Sequence, residues 1–169
     1  MNTEKIYTAC FSGYRPEKFK FSLSNKSSNE YLQFQEELTQ AILAAIEQGY
    51  HTFLCGMAKG FDLLCAYTLL DIQKRHKAYC STCLVAVLPF AGHRFAGEWG
   101  RLHHFVETRS NQVVTVSPDY SPDCYRQRNR YMIDHSDHLI CYWDGQGGGT
   151  AQTVFMARKH GLSMRNVFC

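Results

Sequence analysis

The chain has 169 residues, 45% of them hydrophobic and 20% charged, with a net charge of +3. That suits one globular domain over 1–169 with a proper core, is cramped for two, and excludes a fibrous or disordered chain. The longest apolar run, CLVAVLPFAG at 83–92, is about half of a membrane span, and a charged start followed by a hydrophobic signal core is lacking, so a cytoplasmic protein without membrane contact is expected.

Residues 6–11 read as a first strand, stopped by Ser12-Gly13-Tyr14-Arg15-Pro16, where glycine and proline break regular structure. After a polar stretch, Tyr31, Phe34, Leu38, Ala41, Ile42 and Ala45 recur every three or four residues and mark the buried face of a helix. Ser27 with Glu30 three residues on resembles a capping box, and Gly49 suits the stop. Residues 51–55 form a short second strand that passes through Gly56-Met57-Ala58-Lys59-Gly60-Phe61-Asp62 into a helix carrying Phe61, Leu64, Cys65, Thr68, Leu69 and Ile72. Residues 83–88 are apolar throughout and predict a central strand buried on both faces, closed by Pro89.

Trp99, Leu102, Phe105 and Val106 have helical spacing, and 113–116 predict a fourth strand before a loop at 118–122. A polar helix over 125–135 and a fifth strand over 139–143 lead into Asp144-Gly145-Gln146-Gly147-Gly148-Gly149-Thr150. A last helix with Val154, Phe155 and Ala157 ends near Gly161, and 164–168 suit an edge strand. Strands alternating with helices specify an α/β, Rossmann-like three-layer sandwich with a mainly parallel sheet of five to six strands.

Eight cysteines are too few for a secreted disulfide scaffold. Cys10, Cys55 and Cys141 fall in predicted strands and read as small reduced core residues. Cys80 and Cys83, with His76 upstream, have the spacing of a metal or redox pair, but a lone C-x-x-C equally suits a loop-to-strand join and no metal is expected.

In a doubly wound sheet, ligands lie outside the carboxyl ends of the strands, where helix N-termini offer unpaired N–H groups and partial positive charge. Gly147, Gly148, Gly149 and Thr150 are read as a phosphate contact, with the threonine hydroxyl and amide as donors. For Gly56, Gly60 and Asp62, ligand contact and a compact turn with Asp62 as helix cap are both open. Arg15 is either a phosphate fork or a plain surface residue, and Lys59 is similar with a weaker claim. Asn129 and Asp134 suit a ribose or base edge, or a solvated helix end; Trp99 suits a base stack but reads better as core.

Taken in order, three stretches besides the first glycine turn, namely the turn from Gly56 to Asp62, the segment RNRYMIDHSD at 128–137 and Gly148-Gly149-Thr150-Ala151, resemble the SLOG superfamily. That superfamily is named for the DprA-like DNA-processing proteins and the lonely-guy cytokinin-activating enzymes. The resemblance is nearest to its small bacterial and phage branch of YpsA-like and YoqJ-like proteins. It implies a Rossmann-like sheet and a pocket for nucleotide-derived molecules such as ADP-ribose, lined by Gly13, Arg15, Gly56, Gly60, Asp62, Gly148, Gly149 and Thr150. In the lonely-guy enzymes a glutamate follows the glycine-threonine motif; here Thr150 is followed by Ala151, Gln152 and Thr153, so the N-glycosidic mechanism lacks its proton handler.

The leading functional expectation is binding or sensing of an ADP-ribose-like or NAD-like nucleotide, with no catalytic residue assigned and no further cofactor required. An alternative is a nucleotide phosphoribohydrolase or other N-glycosidic hydrolase using Asp62, Asp134, Asp137 or Glu98. A second alternative is single-stranded DNA binding as in DprA-like proteins, through Arg126, Arg128 and Arg130 with Tyr125 and Tyr131. The low, dispersed charge argues against nucleic acid as a partner. A homodimer paired through one helical face is also expected.

Overall fold

The computed structural model describes residues 7–168; Ile6, the first residue of the predicted first strand, lies outside them. Six strands form one sheet: β1 (Tyr7–Gly13), β2 (Tyr50–Cys55), β3 (Cys83–Leu88), β4 (Gln112–Thr115), β5 (His138–Tyr142) and β6 (Ser163–Asn166). Their order is β4-β3-β2-β1-β5-β6, and every neighbouring pair is parallel. Five helices connect them: α1 (Asn29–Glu47), α2 (Phe61–Arg75), α3 (Gly97–Arg109), α4 (Cys124–Asp134) and α5 (Gly149–Lys159). The fold is therefore the Rossmann-like α/β sandwich that the alternating pattern predicts.

Strand periodicity sorts the core into two halves, because successive side chains point to opposite faces. Ala9, Phe11, Phe53, Cys55, Leu84 and Ala86 face α1, α2 and α3, where they meet Phe34, Leu38, Leu63, Leu69 and Val106. Their alternates Cys10, Leu54, Val85, Val87, Leu139 and Cys141 face α4 and α5 and meet Met132, Ile133, Val154 and Ala157. Burial on both faces is why β1, β3 and β5 read as continuous apolar runs. Desolvation pushes the Cys10 and Cys141 thiols up to about 12, so these cysteines behave as inert core residues.

Two local expectations change. The cap of α1 is Ser28, whose Oγ accepts from the Tyr31 amide at 3.2 Å. Ser27 instead donates to Asn25 Oδ1 at 3.1 Å, and Glu30 falls one position too early for a capping box. On α3 only His103 and Val106 are buried, while Trp99, Leu102 and Phe105 pack half-exposed along the margin of the core. Cys80 is exposed and Cys83 begins β3. Among the described residues, no group of three or more His, Cys, Asp or Glu is placed to hold a metal ion, and no helix is long and apolar enough to cross a membrane.

Candidate functional site

The chain moves from β1 outward to β4, then crosses back to place β5 on the other side of β1. The connections after β1 and β5 consequently diverge, which opens a crevice at the carboxyl ends of these two strands. The crevice holds a cavity of about 370 Å³. Ser12, Gly13, Tyr14 and Arg15 line it from the end of β1, Glu17 and Lys18 from the short 3-10 turn Pro16–Lys18, and Gly149 and Thr150 from α5. Ala58 and Asp62 close the α2 side, and Tyr125, Arg128 and Asn129 of α4 form the remaining wall. The Tyr14 hydroxyl bonds to the Asp144 carboxylate and accepts from the Asp144 amide at 3.2 Å, so the two diverging loops are tied together at the rim.

The first turn of α5 is open. Gly148 caps it with φ +135°, a conformation that favours glycine, and among the described residues no side chain makes a cap hydrogen bond to it. A Cβ at Gly148 would stand 2.9 Å from Lys18 Nζ, so an ammonium group sits against the positive end of the helix. Arg15 adds a guanidinium 5.6 Å from the Tyr125 ring centroid, and Arg128 approaches the same ring at the same distance. Among the described residues, neither Arg15 nor Lys18 has a carboxylate within ion-pair distance.

The first turn of α2 is closed. The Phe61 amide donates to the Tyr14 carbonyl at 3.1 Å, and a Cβ at Gly60, itself at φ +88°, would lie 2.6 Å from that carbonyl oxygen. Gly13 is confined by the same approach, since its Cβ would meet the Phe61 ring at 2.4 Å. Behind the turn lies Asp62, 4% exposed, accepting from the Ala58 amide at 3.4 Å. Burial pushes its carboxyl up to about 6, against the opposing pull of the Arg128 charge. Arg128, 6% exposed, donates to the Gly56 carbonyl at 2.7 Å and to Asn129 Oδ1 at 3.1 and 2.9 Å.

The predicted site residues therefore separate. Gly13, Arg15, Asp62, Asn129, Gly149 and Thr150 line the cavity, and Gly148 caps the helix that opens onto it. Gly56 and Gly60 do not line it; they are consumed by close packing against Asp62, Arg128 and the Tyr14 loop. Lys59 borders a neighbouring cavity, with Nζ 4.9 Å from the Phe95 ring centroid. Gly147 is exposed, and a Cβ added there would have nothing within 4 Å. Asp134 lies at the far end of α4, where it pairs with His160 at 3.2 Å, and Asp137 accepts from the Thr8 amide at 3.3 Å. Glu98 borders a separate groove with Trp99, which leaves Asp62 as the one carboxylate of the hydrolytic alternative that reaches the crevice.

Lys18 escapes the sequence reading, and Arg128 enters it only as one of three arginines for single-stranded DNA, not as a wall of the crevice. Arg128 had a signal: with Cys124 and Met132 it forms an i, i+4, i+8 series, and all three are buried on one face of α4. Lys18 had none, because only the fold of the loop after β1 carries it to Gly148.

A family model described as the YspA SLOG family matches residues 9–166. A UPF0398 protein of Bacillus pumilus is 24% identical over 143 residues, covering 82% of this chain and 74% of the relative. The uncharacterized SPbeta prophage-derived protein YoqJ of Bacillus subtilis is 21% identical over 140 residues, covering 73% and 81%. Among solved structures, DNA processing protein A (DprA) of Streptococcus pneumoniae superposes with a TM-score of 0.61 at 14% identity. The match covers 95% of this chain and 50% of that one. DNA processing protein A of Helicobacter pylori, solved for its single-stranded DNA binding mode, gives 0.62 at 14% identity over 94% of this chain and 63% of that one. This chain thus spans half to under two thirds of those longer proteins. The Helicobacter pylori protein corrects the expectation that stood against nucleic acid: a domain of this fold occurs in a single-stranded DNA binder, so a mild net charge is no ground for exclusion. Coverage by the family model from the first strand to the last, together with the crevice at β1 and β5, establishes that the chain belongs to the YspA SLOG family.

Proposed function

We propose that the crevice binds a phosphate-bearing nucleotide-type ligand of the ADP-ribose or NAD class, and that the domain acts by binding rather than by covalent chemistry. One observation carries this reading: Lys18 is held against the open first turn of α5 while Arg15 stands over the same cavity, with no carboxylate paired to either among the described residues. Positive charge placed at the positive end of a helix is unfavourable until an anion neutralises it. A phosphate there would accept from the α5 amides and from both cations. Calorimetric titration of the chain with ADP-ribose, NAD and AMP is expected to give saturable heat; no heat with any of them overturns the reading.

Single-stranded DNA is the second reading, favoured by the fold likeness to the Helicobacter pylori protein and by exposed Arg126 and Arg130 on α4, the helix that also carries Tyr125 and Arg128. Its backbone would place a phosphate in the same crevice and extend along α4, so binding would weaken steeply with salt. A gel shift with single-stranded oligonucleotides at two salt concentrations separates it from free nucleotide. Chromatography of AMP and NAD after incubation checks the absence of hydrolysis, with Asp62 as the carboxylate placed to support it.

A further inference from the structure

Beside the crevice, sharing Arg15, Glu17, Ala58 and Tyr125 with it, lies a second cavity of about 170 Å³ whose walls add Lys59, His93 and Phe95. His93 stands in the turn after β3 and His103 on α3; they are 4% and 2% exposed. His93 Nδ1 lies 3.2 Å from His103 Nε2, and His103 Nδ1 lies 3.5 Å from Glu107 Oε2. The carboxylate favours the His103 tautomer with its proton on Nδ1, because a lone pair turned toward an anion is repelled. Nε2 of His103 is then an acceptor, Nδ1 of His93 has to donate to it, and Nε2 of His93 keeps a lone pair. That Nε2 has no hydrogen-bond partner among the described residues, and His93 is one of the residues that line the cavity.

The surroundings of His93 keep this arrangement neutral. Burial first, then His103 and the charges of Arg128 and Arg15, lower its pKa to about 4, so it accepts a hydrogen bond across the physiological range. Phe90 and Phe95 approach its ring edge to face at 5.4 and 4.9 Å, and Tyr125 at 6.3 Å. Aromatic walls with Lys59 and Arg15 beside them suit the face of a planar heterocycle, whose edge donors are N–H groups.

We propose that His93 Nε2 is a fixed acceptor that selects, among nucleotides anchored by phosphate in the crevice, those whose base presents an exocyclic amino group to the second cavity. This rests on the nucleotide reading of the crevice. An oxo group in place of the amino group would face the imidazole lone pair and leave both unpaired, which is costlier than losing one contact. His103 and Glu107 are positioning residues that set the tautomer.

AMP and IMP are the probes. They differ at two adjacent edge positions, amino against oxo at C6 and a lone pair against N–H at N1, so the amino donor of AMP is replaced at its own position by an acceptor. Calorimetry with the full chain is expected to give AMP about tenfold tighter binding than IMP, the worth of one buried hydrogen bond made or denied. His93→Phe is expected to weaken AMP and, by removing the lone pair that the oxo group faces, to strengthen IMP, so that the two affinities converge. Glu107→Gln, at a half-exposed position that leaves the histidine pair in place, is expected to shrink the preference. Long-range nitrogen-15 spectra of the free protein are expected to find His93 Nε2 unprotonated in the wild type and of mixed protonation in Glu107→Gln. Equal affinity for AMP and IMP, or a protonated Nε2 in the wild type, overturns the assignment to His93 while leaving nucleotide binding standing. Binding of neither overturns the crevice reading and this inference with it.

Discussion

Arg128 Nη1 donates to the Gly56 carbonyl oxygen across 2.7 Å, so a buried guanidinium on α4 joins the end of β2 to the wall of the crevice. Its charge also lowers the pKa of buried Asp62 against the effect of desolvation. Arg128→Met keeps the apolar stem but removes the larger of the two cationic influences on Asp62, Arg15 being the other, and takes the guanidinium donor from the Gly56 carbonyl. The expected cost is about 3 kcal/mol of folding stability, the scale for breaking a buried charged contact, read by urea denaturation. A loss below roughly 1 kcal/mol would mean that the guanidinium is not a structural bridge.

Asp62 also makes stability depend on pH. Its carboxyl rises from an ordinary value of 3.8 to about 6 on folding, so the native state holds the proton more tightly than the unfolded chain. The sign is that stability falls as pH rises through this window and is level above it, because ionisation is opposed only in the fold. Asp62→Asn is expected to lack this slope. Between about pH 4 and about pH 7, the unfolding free energy of the wild type, read by urea denaturation, is expected to fall by roughly 2–3 kcal/mol relative to that of Asp62→Asn. Parallel curves would place Asp62 in contact with solvent.

Glycines that look alike in the sequence are expected to respond differently to alanine. Gly13→Ala drives a methyl group to 2.4 Å from the Phe61 ring, and the overpacking is expected to cost about 1–3 kcal/mol. Gly147 has nothing within 4 Å of its Cβ position, and Gly147→Ala is expected to stay within about 0.5 kcal/mol of wild type. Thermal or urea unfolding of the two variants checks the contrast.

Lys18→Ala and Arg15→Ala test the crevice without touching the core, since both residues are exposed. Each is expected to weaken AMP binding about tenfold through the loss of one charge-assisted contact to phosphate, with the unfolding midpoint unchanged. Unaltered affinity in the double variant would move the phosphate out of the α5 crevice.

Hydrophobic periodicity located nearly every strand and helix, and it did so because burial is decided residue by residue along a regular backbone. The seams were less legible. Ser27 and Ser28 are the same residue type side by side, and only the backbone of Ser28 is set to cap α1. Arg128 is spaced as a core residue but written in a polar letter, so it reads as solvated until Asp62 and Gly56 are seen against it.

The order of apolar and polar residues by itself determined a parallel α/β sheet with glycine turns at its strand ends, since spacing along the chain is enough to say which face of each element must leave water. Which turn stays open was decided only in three dimensions. Gly60 and Gly148 both precede a helix at positive φ, yet the Tyr14 carbonyl fills the first helix end while the second is left facing Lys18. The difference comes from the crossing of the chain from β4 to β5, which brings the loops after β1 and β5 together. No local pattern records a contact between segments 130 residues apart such as that of Tyr14 with Asp144.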